Sequence, residues 1–215
     1  MRYKLLVWDF DGTLADSLPI SLEIFNRMAG EHGFKPILDP DLVRSMTILR
    51  FIRAHRIPLI QVPRLIRKFL VSQSQMMPTT PLYPELAQML LSLNDRGARS
   101  GIVSFNKELN IRTCLKANQV ERHFEFVIGC GGLFGKRRAL RKVVKSHGFK
   151  RHEVLYIGDE VRDVVAARKA GVDMAAVSWG FNSSDALAKH NPTYLVTCPE
   201  ELLDTIVRPR PVVLA

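Results

Sequence analysis

The sequence has few cysteines, no long apolar run and fewer acidic than basic residues. Cys114, Cys130 and Cys198 are odd in number and far apart, which excludes a disulfide framework and a cysteine-rich zinc site. No apolar run reaches the ~20 residues that a membrane-spanning helix needs. The amino-terminal run at 5–8 ends at Asp9, well short of the ~7–15 apolar residues of a signal peptide. We therefore expect a cytoplasmic protein with no membrane partner.

The excess of basic residues points to anionic partners. The chain carries 31 basic and 21 acidic residues among 215, a net charge of +10. Phosphorylated metabolites, nucleic acid and membrane surfaces are all compatible with such a charge. The two densest basic stretches, residues 44–68 and 136–145, are not interleaved with the aromatic side chains on which single-strand binders stack bases. We interpret both stretches as solvated faces and do not expect nucleic acid as a partner.

Strand-like segments alternate with helical segments along most of the chain. The segments with the short, β-branched or aromatic character of strands are residues 3–8, 99–104, 125–128, 154–157, 174–177 and 194–196. The segments with helical spacing are residues 84–95, 107–118, 137–147 and 162–170. This alternation predicts an α/β fold, a Rossmann-like three-layer α/β/α core with a parallel sheet. Open sheets of this kind bind ligands at the carboxyl ends of their strands.

One long stretch breaks the alternation. Residues 15–81 show helical patterns and no credible strand, with a possible N-cap at Ser17 and further helices at 39–53 and 63–75. We interpret this stretch as a helical cap inserted over the active-site end of the sheet. The predicted division is a catalytic core of residues 1–14 and 82–208, the helical cap of residues 15–81, and a flexible tail of residues 209–215.

The segment DFDGTL provides two carboxylates at the end of the first predicted strand. Asp9 and Asp11 are two residues apart, so their side chains leave the strand on the same side. Gly12 permits the tight turn that follows. Such a pair can hold a hard cation through oxygen atoms, and one member can attack phosphorus while the other moves protons. An isolated D-x-D-G segment is also compatible with an ordinary turn.

Further polar residues follow other predicted strands. Ser104 ends the second strand and Asn106 follows it, where a hydroxyl and nearby backbone N–H groups can hold phosphate oxygens. Lys136 follows a glycine-rich loop and can offset phosphate charge. Asp159 follows the fourth strand, and Asp163 lies four residues later near the start of a helix. These two carboxylates can converge on one cation.

Together these residues resemble the haloacid dehalogenase superfamily of hydrolases, in particular its phosphoglycolate-phosphatase-like branch. Four features match in order, namely DFDGTLADS, Ser104 in GIVSFN, Lys136 and GDEVRDVVAARKAG. They span residues 9–171, and the helical stretch after the first motif is where this branch carries its cap. The resemblance implies a Mg²⁺-dependent phosphomonoester hydrolase that acts on a small phosphorylated metabolite.

The resemblance also implies a role for each acidic residue. Asp9 would be the nucleophile and a Mg²⁺ ligand. Asp11 would bind Mg²⁺ through its backbone carbonyl, and its side chain would act first as general acid and then as general base. Asp159 would complete the metal site. Asp163 would orient Lys136 and the metal ligands, and Glu160 would assist through a metal-bound water.

The implied phosphate site consists of Thr13, Ser104, Asn106 and Lys136. Two departures from the pattern of this branch concern its surroundings. The segment that begins at Lys136 reads Lys-Arg-Arg-Ala where Lys-Pro-x-Pro is frequent, so its loop is expected to differ in shape. Glu160 stands where a serine or threonine is common, which alters the surroundings of the metal. The neighbouring GCGGLFGK segment fails both the P-loop and the dinucleotide-binding patterns.

Three functions remain open from the sequence. The first is a phosphatase, the second a sugar phosphomutase with the same chemistry, and the third a non-catalytic protein of the same fold that binds an anion. Dehalogenation is disfavoured, because release of a halide does not need the proton that Asp11 would supply. The arginines that could bind a second anionic group of the substrate lie in the cap, at Arg44, Arg50, Arg53 and Arg56. The substrate and the oligomeric state are left open.

Overall fold

The computed structural model describes residues 2–130 and 135–208, and its centre is a sheet of six parallel strands. In chain order the strands are β1 Leu5–Trp8, β2 Arg99–Ser104, β3 Val127–Gly129, β4 Val154–Gly158, β5 Asp173–Val177 and β6 Tyr194–Val196. Side by side they follow the order β3-β2-β1-β4-β5-β6, and every neighbouring pair is parallel. The order reverses at β1, and such a switch point opens a crevice for a ligand.

Ten α-helices accompany the sheet in the described part of the chain. They are α1 Leu18–His32, α2 Pro40–Arg44, α3 Ile48–Ala54, α4 Val62–Met76, α5 Leu86–Asp95, α6 Glu108–Ala117, α7 Gly135–Ser146, α8 Val161–Ala170, α9 Ser184–Ala188 and α10 Pro199–Val207. In that part of the chain, none of the helices has the length and apolar character that crossing a bilayer requires. The sequence analysis identified α5 to α8 within two residues of these bounds and did not identify α9 or α10.

The alternation of side chains along β1 explains the three layers. Leu6 and Trp8 point into one hydrophobic cluster, which includes residues of α5, α6 and α10. Leu5 and Val7 point into the opposite cluster, which includes residues of α7, α8 and α9. All four side chains are fully buried, as expected for a central parallel strand with helices on both faces. The predicted α/β/α fold class is therefore confirmed.

Residues 15–81, called the helical insertion below, contain α1 to α4 and no strand, and the structure describes all of them. A small hydrophobic cluster joins α1 to α4, and it consists of Ile24, Met28, Ala29, Phe34 and Leu65. The division of the chain into a core and a cap stays a prediction. The predicted tail at 209–215 lies outside the described residues.

Two local expectations for the helical insertion differ from the structure. The segment at 39–53 is largely helical as predicted, but it is not one helix, because the chain forms α2 and α3 with a break between them. Thr47 lies at this break in an extended conformation, and its hydroxyl accepts a hydrogen bond from the backbone N–H of Arg50, 3.4 Å away, so a new helix begins there. Ser17 precedes α1 as predicted, yet its side chain makes no capping hydrogen bond.

Candidate active site

The predicted site residues meet at the carboxyl edge of three adjacent strands. Asp9 follows β1, Ser104 ends β2 and Asp159 follows β4, and β1 lies between the other two. A cavity of about 250 Å³ opens at this edge, between the sheet and α4 of the helical insertion. The described residues that line it are Asp9, Asp11, Ser21, Phe69, Leu70, Gln73, Ser104, Phe105, Asn106, Lys136, Glu160, Arg162 and Phe181.

Lys136 lies between two buried carboxylates. Its Nζ donates hydrogen bonds of 2.5 Å to Asp9 Oδ2 and 2.5 Å to Asp163 Oδ1. Burial alone would lower the pKa of Lys136, but the negative charges of Asp163 and Asp9 raise it above its ordinary value. The lysine therefore stays charged at neutral pH, and it fixes the orientation of the Asp9 carboxylate.

Asp159 is fully buried and accepts hydrogen bonds on both oxygens. The Thr13 hydroxyl donates to Oδ1 at 2.7 Å, and the backbone N–H of Phe181 donates to Oδ2 at 2.7 Å. Burial and the nearby charges of Glu160 and Asp9 raise the pKa of Asp159 well above its ordinary value. Gly12 approaches so closely that a Cβ there would lie 2.3 Å from Asp159 Oδ2, and its φ of +74° also favours glycine.

Asp163 occupies the first turn of α8 and binds the segment that precedes it. Its Oδ2 accepts a hydrogen bond from the backbone N–H of Glu160 at 3.1 Å, and Oδ1 accepts one from the Tyr156 hydroxyl at 3.3 Å. The Glu160 carboxylate forms an ion pair with Arg162. These contacts hold Asp163 against Lys136 at the edge of the cavity.

Three carboxylates come close enough together to share one cation. One oxygen each of Asp9, Asp159 and Asp163 lies within 4.8 Å of the others, and all three residues are buried. A set of carboxylate oxygens suits hard divalent cations such as Mg²⁺ better than soft metals. The cluster contains two of the predicted metal ligands, Asp9 and Asp159, together with Asp163, which was predicted to orient them, and the metal site itself stays a prediction.

Asp11 faces the cavity between two amide groups. Asn106 Nδ2 donates to Oδ2 at 2.8 Å, and Gln73 Nε2 from α4 donates to Oδ1 at 3.0 Å. Burial, and to a smaller extent the charge of Asp9, raises the pKa of Asp11 to about 6, against the opposing effect of the Asn106 amide. The carboxyl group thus has a pKa that allows it to exchange protons near neutral pH.

Of the four residues predicted to bind phosphate, three line the cavity. Ser104 and Asn106 are joined to each other, since the backbone N–H of Asn106 donates to Ser104 Oγ at 3.2 Å. Lys136 is the third. Thr13 differs from them, because it is fully buried and its hydroxyl is engaged by Asp159. A phosphate-binding role for each of the four stays a prediction.

The family follows from comparison with known proteins. The family model described as haloacid dehalogenase-like hydrolase matches residues 6–177, a segment that includes every predicted site residue. The chain belongs to this family. A phosphoglycolate phosphatase of Synechococcus elongatus is 36% identical over 210 residues, which cover 95% of this chain and 98% of the relative. A phosphoglycolate phosphatase of Pseudomonas savastanoi pv. phaseolicola is 28% identical over 90% of this chain and 76% of the relative.

Solved structures of haloacid dehalogenase-like proteins share the fold. A hydrolase of this family from Streptococcus pneumoniae superimposes with a TM-score of 0.80 at 20% identity, over 95% of this chain and 99% of that protein. A predicted phosphatase from Clostridium acetobutylicum gives a TM-score of 0.80 at 20% identity, over 96% and 99%. Together with the curated relatives, these findings confirm the prediction that the chain is a phosphatase of the haloacid dehalogenase type.

Three polar residues that line the cavity of this hydrolase were not predicted from the sequence, namely Ser21, Gln73 and Arg162. Gln73 was one of several polar residues in a predicted helix, and no sequence signal distinguished it. Arg162 lies inside the GDEVRD motif, so its position next to two acidic site residues was a signal that went unused. Its guanidinium lies 4.4 Å from the centre of the Phe105 ring, and it is paired with Glu160.

Among the described residues, Arg44 is the one of the four arginines named from the sequence whose side chain donates hydrogen bonds outside the helical insertion. Its Nη2 donates to the Ser178 carbonyl at 2.5 Å and its Nε donates to the Gly180 carbonyl at 2.9 Å. Its own carbonyl accepts from Asn182 Nδ2 at 3.0 Å. Because the adjacent Phe181 holds Asp159, Arg44 connects the helical insertion to the loop behind the acidic cluster.

Proposed function

We propose that the chain is a Mg²⁺-dependent phosphatase for a small phosphorylated carboxylic acid of the phosphoglycolate type, with Asp9 as the nucleophile. The observation that carries the proposal is the arrangement of Lys136 between Asp9 and Asp163, beside Asp159 and at the edge of a small cavity. The substrate class is supported by the curated relatives, which are phosphoglycolate phosphatases. The proposed cap is the helical insertion, whose α4 covers the cavity.

The donor set fits Mg²⁺. Asp9 and Asp159 would hold the cation through carboxylate oxygens, and Asp11 would add its backbone carbonyl. Asp163 and Glu160 would orient these ligands. Three buried carboxylates with one lysine between them leave an excess of negative charge, which a bound divalent cation offsets. When bound, the cation supplies positive charge against the oxygens of the transferring phosphoryl group.

The first chemical step is transfer of the phosphoryl group to Asp9. A carboxylate oxygen of Asp9 forms a bond to phosphorus while the bond from phosphorus to the leaving oxygen breaks. Asp11 gives its proton to that leaving oxygen, which departs as the hydroxyl of the alcohol product. Lys136 would offset the charge of the phosphoryl oxygens, with Ser104 and Asn106 as the proposed hydrogen-bond donors.

The second step returns the enzyme to its starting state. Asp11 is now ionised, and it takes a proton from a water molecule that attacks the phosphorus atom of the Asp9 acyl phosphate. The bond from Asp9 to phosphorus breaks, and inorganic phosphate leaves. The two amide donors on Asp11 keep its carboxylate at the cavity in both steps.

The size and charge of the cavity support a small substrate with a second anionic group. A volume of about 250 Å³ is at the lower end for ligand sites, and Phe69 and Leu70 of α4 close one side. Among the described lining residues, Arg162 and Lys136 are the two with positive charge. Because Lys136 is committed to Asp9 and Asp163, the Arg162 guanidinium is the proposed partner of the substrate carboxylate.

The test is an assay of phosphate release from phosphoglycolate and a panel of other small phosphate monoesters. The wild-type chain is expected to release phosphate with Mg²⁺ and to stop when EDTA removes the cation. Asp9→Asn is expected to lower kcat by at least about 10³-fold, because a carboxamide is a poor nucleophile. Circular dichroism of both proteins serves as the folding control.

Other outcomes would redirect the proposal. Full activity of Asp9→Asn would rule out Asp9 as the nucleophile. Formation of an isomeric sugar phosphate without free phosphate would indicate a phosphomutase. Absence of turnover in a folded sample, together with binding of inorganic phosphate, would indicate a non-catalytic protein. A cytoplasmic location stays a prediction, which fractionation of cells can check.

A further inference from the structure

The helical insertion contacts the proposed acid-base residue directly. Gln73 of α4 is 5% exposed, and its Nε2 donates to Asp11 Oδ1 at 3.0 Å. Asn106, from the segment after β2, donates to Asp11 Oδ2 at 2.8 Å. The Asp11 carboxylate is therefore held between one amide from the insertion and one from the sheet side, and two donors on opposite oxygens restrict its orientation more than one does.

A second chain of hydrogen bonds connects the next residue of α4 to the same carboxylate. Asn110 Nδ2 donates to Ser74 Oγ at 2.9 Å and to Asn106 Oδ1 at 2.9 Å. Asn106 in turn donates to Asp11. Two consecutive residues of α4 thus act on Asp11, Gln73 directly and Ser74 through Asn110 and Asn106. A shift of α4 would break both connections together.

We propose that Gln73 is a positioning residue that orients Asp11 for proton transfer to the leaving oxygen. The inference rests on the proposed function, because it requires Asp11 to protonate a leaving group. Its physical basis is that proton transfer depends steeply on the direction of the carboxyl group. Through Gln73 of α4, the helical insertion then contributes to the rate of the chemical step. This contribution adds to its proposed role in substrate choice.

The test compares substrates whose leaving groups differ in their need for a proton. The rate constant kcat/KM reports the steps up to transfer of the phosphoryl group to Asp9, where Asp11 acts as an acid. An alkoxide leaving group needs that proton, whereas the p-nitrophenolate group leaves readily without it. We expect Gln73→Met to lower kcat/KM by about 10- to 100-fold for phosphoglycolate and for ethyl phosphate, and by less than about 3-fold for p-nitrophenyl phosphate.

Control variants distinguish the positioning role of Gln73 from a general structural role and from a contact with the substrate carboxylate. Gln75→Met makes the same change at an exposed position of α4 and is expected to leave all three values unchanged. Gln73→Leu also removes the donor without adding a titratable group, so it is expected to match Gln73→Met and to serve if that variant does not fold. Thermal unfolding of each variant reports folding.

Three results would overturn the inference. An equal fall for alkyl and aryl phosphates would indicate a general structural role for Gln73. A fall for phosphoglycolate alone, with ethyl phosphate unchanged, would make Gln73 a contact of the substrate carboxylate. Values equal to those of Gln75→Met would show no role. If the wild-type chain releases phosphate from none of the three compounds, the proposed function fails and the inference with it.

Discussion

The two sides of the active-site cavity are held in different ways. On the sheet side, Asp9, Asp159 and Asp163 are at most 3% exposed, and strand register and hydrogen bonds fix them. On the side of the helical insertion, α2 and α3 contain no buried residue. Large apolar side chains of the insertion are exposed to solvent, among them Leu38 at 84%, Ile48 at 71% and Ile60 at 90%.

This difference separates two kinds of structural control. The carboxylates on the sheet side depend on the packing of the whole core, so they have little freedom to move. The insertion reaches the same cavity through hydrogen bonds of α4, from Gln73 to Asp11 and between Ser74 and Asn110. Arg44 binds the nearby loop at Ser178 and Gly180. Fewer buried contacts mean a lower cost of local opening. A rigid sheet edge therefore carries the proposed chemistry, and a more loosely packed insertion carries Gln73, the residue proposed to position Asp11.

The largest effect is expected on the sheet side, from removal of the buried lysine. Lys136→Met leaves two buried carboxylates without their cation, and we expect a loss of about 3–5 kcal/mol in the free energy of unfolding. We also expect kcat to fall by about 10²-fold or more. Urea denaturation and the phosphate assay measure the two quantities.

The matched control is Lys142→Met, an exposed lysine on the same helix, which is expected to change stability by less than about 0.5 kcal/mol. If the two variants were equally stable, the account of Lys136 as the charge that holds Asp9 and Asp163 together would be wrong.

An intermediate effect is expected from Arg162, which lies on the sheet side and lines the cavity. Arg162→Ala removes the proposed partner of the substrate carboxylate. We expect KM for phosphoglycolate to rise by about 10-fold, since a charge-assisted hydrogen bond contributes about 1.5–3 kcal/mol and exposure reduces it. KM for ethyl phosphate, which has no carboxylate, is the internal control and is expected to stay the same. An equal rise for both compounds would argue against carboxylate recognition.

The smallest effect is expected at the connection from the insertion to the loop at 178–183. Arg44→Ala removes two hydrogen bonds to carbonyl groups, and we expect it to lower the free energy of unfolding by about 1–2 kcal/mol. We expect a loss of about 3- to 10-fold in kcat/KM, because that loop also holds Asp159.

Arg50→Ala, an exposed arginine of α3, is the control and is expected to change neither quantity. If Arg44→Ala behaved like Arg50→Ala, the insertion would be held to the core by other contacts.

The sheet side could be predicted from the sequence because each of its site residues follows a strand or begins a helix. One short apolar run stops at Asp9, and another stops before Asp159. Each run indicates a strand, and the acidic residue at its end indicates the edge of the sheet at which a ligand binds. Parallel strands then bring the two residues together without any knowledge of side-chain packing. Ser104 was predicted in the same way, because it ends the second strand, and the structure places that strand next to β1.

The insertion side could not be predicted in the same way. The helical pattern of α4 indicates which face is apolar, but the contact of Gln73 with Asp11 depends on how that helix rotates and packs against residues 62 positions away. The break between α2 and α3 depended on Thr47, a capping residue inside an otherwise continuous helical pattern. Local propensity is a weak guide where few tertiary contacts fix the structure.

The most direct test of the central claim is the identification of the residue that carries the phosphoryl group. The enzyme is mixed with phosphoglycolate and Mg²⁺, quenched in acid and treated with borohydride, which reduces an acyl phosphate to an alcohol. Peptide mass spectrometry then locates the reduced residue. The account predicts homoserine at position 9 and aspartate at positions 11, 159 and 163. Homoserine at another of these positions, or its absence from position 9 in an enzyme that turns over at its full rate, would contradict the account.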